Sequence, residues 1–249
     1  MSGEGRAADP IYDDGLVCLY HGDCMDLLPL VGEVDLIFTS PPYNLGGMGQ
    51  GTGKWKYPAL ADGYADHTDD MPIEEYEAWQ QAVITACWAA LSDTGAIFYN
   101  HKPRLQAGEV WLPLRLNPGF PLRQIITWAR AGGMNFNPTA YVPTYEWIMV
   151  LAKPAFRLKS KGASGVGDCW QVTQESGNPH PAPFPIGLPA RAIETTGPRV
   201  VLDPFAGSGT TLVAAKAAGV RAIGIEKSER YCEMAIARLA QGSLFEVGA

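Results

Sequence analysis

Val200-Val201-Leu202-Asp203-Pro204-Phe205-Ala206-Gly207-Ser208-Gly209-Thr210-Thr211 is the stretch whose reading decides the fold. Three apolar residues and a carboxylate run into a proline, and two spaced glycines then lead into a helical pattern reaching Ala218 and closed by Gly219. Strand, glycine turn and helix in this order are how a Rossmann-like sheet brings its backbone close to a nucleoside. The next strand, Arg221 to Glu226, ends on an acid that can accept hydrogen bonds from ribose hydroxyls. A last helix is expected from Glu229 to Gln241. Leu212 stands where a dinucleotide fingerprint has its third glycine, which disfavours a pyrophosphate clamp and a nicotinamide oxidoreductase. No Gly-Lys-Ser/Thr follows, so this is not a phosphate-binding P-loop. Asp203, just before the turn, sits where it could pair with a cationic amino group. Together with the glycines and Glu226 it fits a ligand with an amino acid at one end and a ribose at the other, the shape of S-adenosylmethionine.

The second informative stretch lies far upstream, at Asp35-Leu36-Ile37-Phe38-Thr39-Ser40-Pro41-Pro42-Tyr43-Asn44. Val34 to Thr39 reads as a short buried strand. Two successive prolines cannot donate backbone hydrogen bonds, so the strand stops there. Ser40 precedes a proline and is held extended. The outcome is a stiff turn at the carboxyl end of a strand, the edge where open α/β sheets bind ligands.

Between and around these motifs the chain alternates strands and helices. Leu16 to Tyr20 is a first strand, and Cys24 to Leu30 one or two helical turns. Residues 45–70 are crowded with glycines, then acids, and read as a mobile loop. Pro72 opens a helix to about Leu91, with Glu74, Glu75 and Glu77 at the positive end of its dipole. Its core face is expected to carry Trp79, Val83, Ala86 and Ala90. Ala96 to Tyr99, Gln124 to Trp128 and Tyr145 to Lys153 are further strands. Phe156 to Gly167 reads as basic and irregular, Trp170 to Val172 as a short strand, and Leu188 to Thr195 as a helix after the proline-dense His180 to Pro185. There is no internal repeat.

Length and charge narrow the field. A chain of 249 residues suits a single domain, and no run of eighteen apolar residues reads as a membrane span. The N-terminus has no signal-peptide core. Five scattered cysteines form no Cys-x-x-Cys pair, so a reducing cytoplasm is the simplest compartment. His21, His67, His101 and His180 form no metal pattern. The net charge is −7, yet Lys102 to Lys161 holds nine basic residues against two acidic ones, a surplus of +7 that leaves −14 elsewhere. A basic zone on an acidic body is compatible with phosphate contact. Scattered solvated charge is the alternative.

With both motifs read, the chain resembles the DNA amino-methyltransferases that methylate N4 of cytosine or N6 of adenine. Ser40-Pro41-Pro42-Tyr43 is similar to their catalytic tetrapeptide, and Asp203 to Thr211 to their cofactor loop. Catalytic motif first and cofactor loop last resembles the permuted β group. The resemblance covers residues 16–240. It implies a Rossmann-like S-adenosylmethionine-dependent methyltransferase fold, a mostly parallel central sheet with helices on both faces. It implies a single domain, residues 1–249, with a small target-recognition insert at 154–179. The cofactor contacts it implies are Asp23, Thr39, His180, Pro181, Phe184, Asp203, Phe205, Ala206, Gly207, Ser208, Gly209, Thr210 and Glu226. Ser40, Pro41, Pro42 and Tyr43 would be catalytic, with Ser40 and the Pro41 carbonyl accepting from the target amine and Tyr43 stacking on the base. Lys54, Lys56, Arg130, Lys153, Arg157, Lys159 and Lys161 are the candidates for contact with double-stranded DNA. No metal is implied, and a monomer or homodimer is expected. A first-position Ser goes more often with cytosine in this family, and Asp with adenine. RNA or protein-amide methylation, or a catalytically silent DNA-binding relative, remain alternatives.

Overall fold

Ile37 and Phe38 are adjacent and both fully buried, because their sheet is covered on both faces. The computed structural model describes residues 9–44, 70–106, 108–130, 138–173 and 184–242. In chain order these form β1 (Tyr12–Asp13), β2 (Val17–His21), a short helix α1 (Cys24–Leu27) continued by a 3-10 turn (Leu28–Leu30), and β3 (Val34–Thr39). Then come α2 (Ile73–Ala90), β4 (Leu91–His101), a hairpin of β5 (Arg104–Gln106) and β6 (Glu109–Trp111), and a second 3-10 turn (Pro113–Leu116). The remainder is β7 (Leu122–Ala129), β8 (Tyr145–Ala152), α3 (Lys161–Ser164), β9 (Cys169–Gln171), α4 (Gly187–Thr196), β10 (Val200–Asp203), α5 (Thr210–Ala217), β11 (Arg221–Glu226) and α6 (Glu229–Gly242).

The main sheet runs β1-β2-β11-β10-β3-β4-β8-β7-β9. The neighbours from β2 through β4 are parallel, while β8 runs antiparallel to both β4 and β7. This is the mostly parallel α/β sheet expected from the sequence. Leu36, Phe38, Ala96, Phe98, Ile148, Val150 and Val201 point to the face covered by α4, α5 and α6. Ile37, Ile97, Tyr99, Met149, Leu151 and Leu202 point to the face covered by α1 and α2. The chain leaves β3 for β4 on one side and returns at the end to lay β10 on the other, with Val201 opposite Leu36 and Leu202 opposite Ile37. That crossover brings the two motifs side by side.

Several elements differ from the sequence reading. The face of α2 that is most buried carries Tyr76, Gln80, Val83, Ile84 and Cys87, while Trp79, Ala86 and Ala90 are only partly buried beside it. A count of apolar residues misses Gln80, which is fully buried because it has hydrogen-bond partners. The β5–β6 hairpin and β1 are too short to alternate visibly. The 154–173 part of the expected insert is anchored to the sheet: Phe156 and Trp170 are buried, and β9 pairs in parallel with β7. The expected loop 45–70 lies outside the described residues except for Asp70, as do residues 174–179 of the insert. Asn44 is in the left-handed region at φ 53° and is tied to Met71. Its amide donates to Met71 O at 2.8 Å and accepts from Met71 N at 2.7 Å.

Candidate active site

The first junction between the motifs is made by threonine. Thr39 Oγ1 donates to Asp203 Oδ1 at 2.7 Å, Thr211 Oγ1 donates to Oδ2 at 2.7 Å, and Phe205 N donates to Oδ1 at 3.1 Å. Asp203 is fully buried, and that burial pushes its carboxyl up to about 6 against the pull of its donors. The sequence reading has this carboxylate facing a ligand's amino group. The fold instead closes it inside the protein, where it ties β3 to the glycine turn.

Beyond Asp203 the turn needs glycine. Gly207 and Gly209 have φ values of 52° and 78°, a region side chains disfavour. Ala206 N donates to Ile225 O at 2.9 Å, which fastens the turn to β11. Glu226, partly exposed at the end of β11, accepts from Gly207 N at 2.7 Å and Ser228 N at 2.8 Å. Burial raises its carboxyl above the usual range. The Lys227 backbone N–H also acts on this carboxylate, whose remaining lone-pair capacity suits a ribose hydroxyl. Beside it, Ser228 Oγ is buried without a partner among the described residues. Gly22 N donates to Glu226 O at 2.9 Å, so Asp23 lies next to this acid, where it caps α1 through Met25 N and pairs with Lys227 at 3.2 Å. These residues fit a nucleoside-bearing cofactor. Further expected contacts also have partners within the protein: Arg238 Nη1 donates to Ser208 Oγ at 3.1 Å and Thr210 Oγ1 at 3.0 Å, and Phe184 packs on Phe38 with ring centroids 5.5 Å apart. Phe205 meets the edge of Trp79 at 5.8 Å.

At the end of β3, helix α2 holds the proline turn. Tyr76 Oη donates to Pro42 O at 2.8 Å, and Gln80 Nε2 to the same carbonyl at 3.3 Å. Arg104 of β5 donates to the carbonyl oxygens of Tyr43 and Asn44 and lies over the Trp111 ring. Pro41 is buried, Pro42 and Ser40 partly so. Tyr43 is itself buried, its ring packed at 4.3 Å on His101, with Lys102 Nζ 5.7 Å from its centroid. Burial drives the His101 imidazole down to about 3, so it is neutral. A polar network runs from the turn into the sheet. Ser40 Oγ and Tyr43 Oη are 2.9 Å apart, and Tyr43 Oη donates to Glu146 Oε2 at 2.9 Å. Asn100 Nδ2 reaches Ser40 Oγ at 3.3 Å, Tyr43 Oη at 2.7 Å and Glu146 Oε2 at 3.0 Å. Arg130 closes it with an ion pair to Glu146 Oε1 at 3.2 Å.

Asn100, Glu146, Tyr76, Gln80 and Arg104 are site residues that the sequence reading passes over. Glu146 has a visible signal, being a lone acid in the apolar run from Tyr145 to Ala152. The basic candidates separate. Arg130 is at the site, engaged with Glu146. Lys153 N bonds to Gly95 O, six residues before His101 on β4, which puts it roughly 20 Å along the strand from the catalytic edge. Lys159 N bonds to Thr195 O, at the end of α4 that leads into the start of β10. Arg157 lies between them in the chain and Lys161 begins α3. Lys153 and Lys159 are therefore held at the end of the sheet away from Ser40. Lys54, Lys56, His180 and Pro181 lie outside the described residues. Among the described residues no group of three or more His, Cys, Asp and Glu is placed to hold a metal ion, and no helix is long and apolar enough to cross a membrane.

A family model described as DNA methylase, covering N6 and N4 amine methylation, matches residues 34–237. The chain belongs to this family. The methylase is similar to the type II methyltransferase M.ScaI of Streptomyces caespitosus, at 28% identity over 92% of this chain and 83% of that protein. It is also similar to M.BglII of Bacillus subtilis, at 28% over 87% and 67%. Among solved structures, the fold matches the PvuII DNA methyltransferase (cytosine-N4-specific) with a TM-score of 0.74 at 18% identity, covering 92% of this chain and 88% of that one. It matches the Thermus thermophilus protein TTHA0409, solved in complex with S-adenosyl-L-methionine, with a TM-score of 0.62 at 27% identity over 90% and 93%. The methylase acts on DNA, and its methyl donor is S-adenosylmethionine.

Proposed function

We propose that this methylase modifies the exocyclic amine of a base turned out of duplex DNA, and that it prefers N4 of cytosine to N6 of adenine. The observation that carries the reading is the partly exposed Ser40 hydroxyl at the head of the Pro-Pro turn, backed by the buried Tyr43 and Glu146. S-adenosylmethionine supplies the methyl group. The protein's part is to prepare the amine, whose lone pair is otherwise delocalised into the ring. Ser40 Oγ and the Pro41 carbonyl accept its two hydrogens, which favours a tetrahedral nitrogen with a localised pair. Both acceptors are fixed before the base arrives, because α2 and Arg104 clamp the turn, and such preorganisation lowers the barrier. An amine paired inside a duplex cannot be approached in line, so the base leaves the stack. The preference for cytosine rests on Ser40 standing at the first position of the tetrapeptide, where Ser goes more often with cytosine and Asp with adenine in this family. The five cysteines, all free, agree with a reducing compartment such as the cytoplasm.

Incubation with labelled S-adenosylmethionine and plasmid DNA, followed by nucleoside mass spectrometry, tests this. N4-methylcytosine is expected. N6-methyladenine would overturn the base preference, and label in RNA but not DNA would overturn the duplex substrate.

A further inference from the structure

Glu146 sits one hydrogen bond behind the turn, yet no step of the amine preparation uses it. It comes from β8, the antiparallel strand, and is only 6% exposed. A carboxylate can only accept hydrogen bonds. Tyr43 has a single hydroxyl proton, and Glu146 Oε2 takes it at 2.9 Å. In the Ser40–Tyr43 contact, where either oxygen could donate, Ser40 must then be the donor. Asn100 Nδ2, itself only a donor, lies against all three oxygens and reinforces that direction. Arg130, paired with the other carboxylate oxygen at 3.2 Å, compensates the buried charge. Ser40 Oγ thereby turns its proton inward, and of its two lone pairs one accepts from Asn100 while the other is left for the amine.

We propose that Glu146 is the positioning residue and terminal proton acceptor of the Ser40 site, acting through Tyr43. The proposal rests on the base-amine reading above. Before transfer, Glu146 keeps the Ser40 hydroxyl oriented as an acceptor for the amine. After the amine nitrogen has formed its bond to the methyl carbon, it carries a positive charge and one proton too many. That proton passes to Ser40 Oγ as the Ser40 proton passes to Tyr43 Oη and the Tyr43 proton to Glu146 Oε2. The base is left neutral, both hydroxyls are regenerated, and Glu146 becomes the neutral acid until solvent takes its proton. Charge and atoms balance without any further reactant. A serine, which is a poor base near neutral pH, then needs to hold the proton only in transit.

Single-turnover methylation of plasmid DNA by wild type, Glu146→Gln, Tyr43→Phe and the double variant tests the relay. The expected result is a rate lowered about 100-fold in Glu146→Gln, with KM for S-adenosylmethionine and DNA affinity within about twofold of wild type. The solvent deuterium isotope effect of wild type should shrink in both single variants, and the double variant should be no slower than the slower single one. Tyr43→Phe keeps the Glu146–Arg130 pair, so it carries the test if Glu146→Gln does not fold. Wild-type rates in either soluble variant, or losses that multiply in the double variant, overturn the relay. A wild-type protein that methylates DNA but meets one of those outcomes leaves the base-amine reading standing. A wild-type protein that methylates no base amine overturns that reading and the relay with it.

Discussion

Ser40 carries one proton, and the direction of that proton decides whether its oxygen can receive an amine hydrogen. Removing the hydroxyl should therefore remove turnover and spare the cofactor. Ser40→Ala is expected to lower single-turnover methylation by about 100-fold or more, with S-adenosylmethionine affinity unchanged in calorimetry; methylation at the wild-type rate would remove Ser40 from the site. Asp203 gives the opposite pattern. Its carboxylate is closed to solvent and holds two threonine hydroxyls and a backbone N–H. Asp203→Ala should destabilise the apo-protein by about 3 kcal/mol in urea unfolding, since buried donors would lose their acceptor. A variant that lost cofactor affinity but kept its stability would return Asp203 to direct ligand contact. Sequence places both residues at strand ends but does not say which way either side chain faces.

Helix α5 starts at a glycine pressed against another helix. A β-carbon on Gly209 would lie 3.0 Å from Ala235 Cβ of α6, and the backbone there has φ 78°. Gly209→Ala should cost about 1–3 kcal/mol of stability in a thermal melt, from strain and overpacking together; an unchanged midpoint would mean that α6 moves freely. The elements carrying the motifs are legible because each has a local signature. The strand before the glycine turn and the strand after it read with the bounds the fold has, Val200–Asp203 and Arg221–Glu226. The β5–β6 hairpin is not legible, since three-residue strands show no alternation, yet its Arg104 clamps the catalytic turn. Gln80 escapes for a related reason, because a polar residue on a helix is counted as outward unless its partner is known.

The basic zone of the chain divides between the two ends of the sheet, with Arg104 and Arg130 at the catalytic turn. Lys153 and Lys159 are held at the end of the sheet away from Ser40, with Arg157 between them in the chain and Lys161 opening α3 just after. If duplex DNA docks over the catalytic edge, neutralising all four together leaves the salt dependence of DNA binding as in wild type; a slope lowered by several units would mean that DNA also wraps the far edge. Acid stability is a second property of the assembled core. The unfolded chain has an ordinary histidine near 6.5, while buried His101 accepts a proton only at about 3. The unfolded state therefore binds more protons in between. Stability linked to His101 is complete above pH 6.5 and is lost as pH falls toward 3, at about 1.4 kcal/mol per pH unit. Urea unfolding of wild type and His101→Gln at about pH 7 and about pH 5 should show the gap between them change with this sign. The difference isolates the histidine from Asp203, whose raised pKa acts in the opposite direction. A gap independent of pH would mean that His101 is solvated.

The sequence by itself determined the longer strands, the two turns and the chemistry of their residues, because proline geometry, glycine conformation and hydrophobic period act over a few neighbouring positions. It also determined the order of the motifs, catalytic before cofactor. Only the tertiary structure decided that β10 lies against β3, that Asp203 faces inward, and that Glu146 stands behind Tyr43. Those are contacts between residues more than a hundred positions apart, set by which strands pair and which face each side chain takes, and no local pattern encodes either.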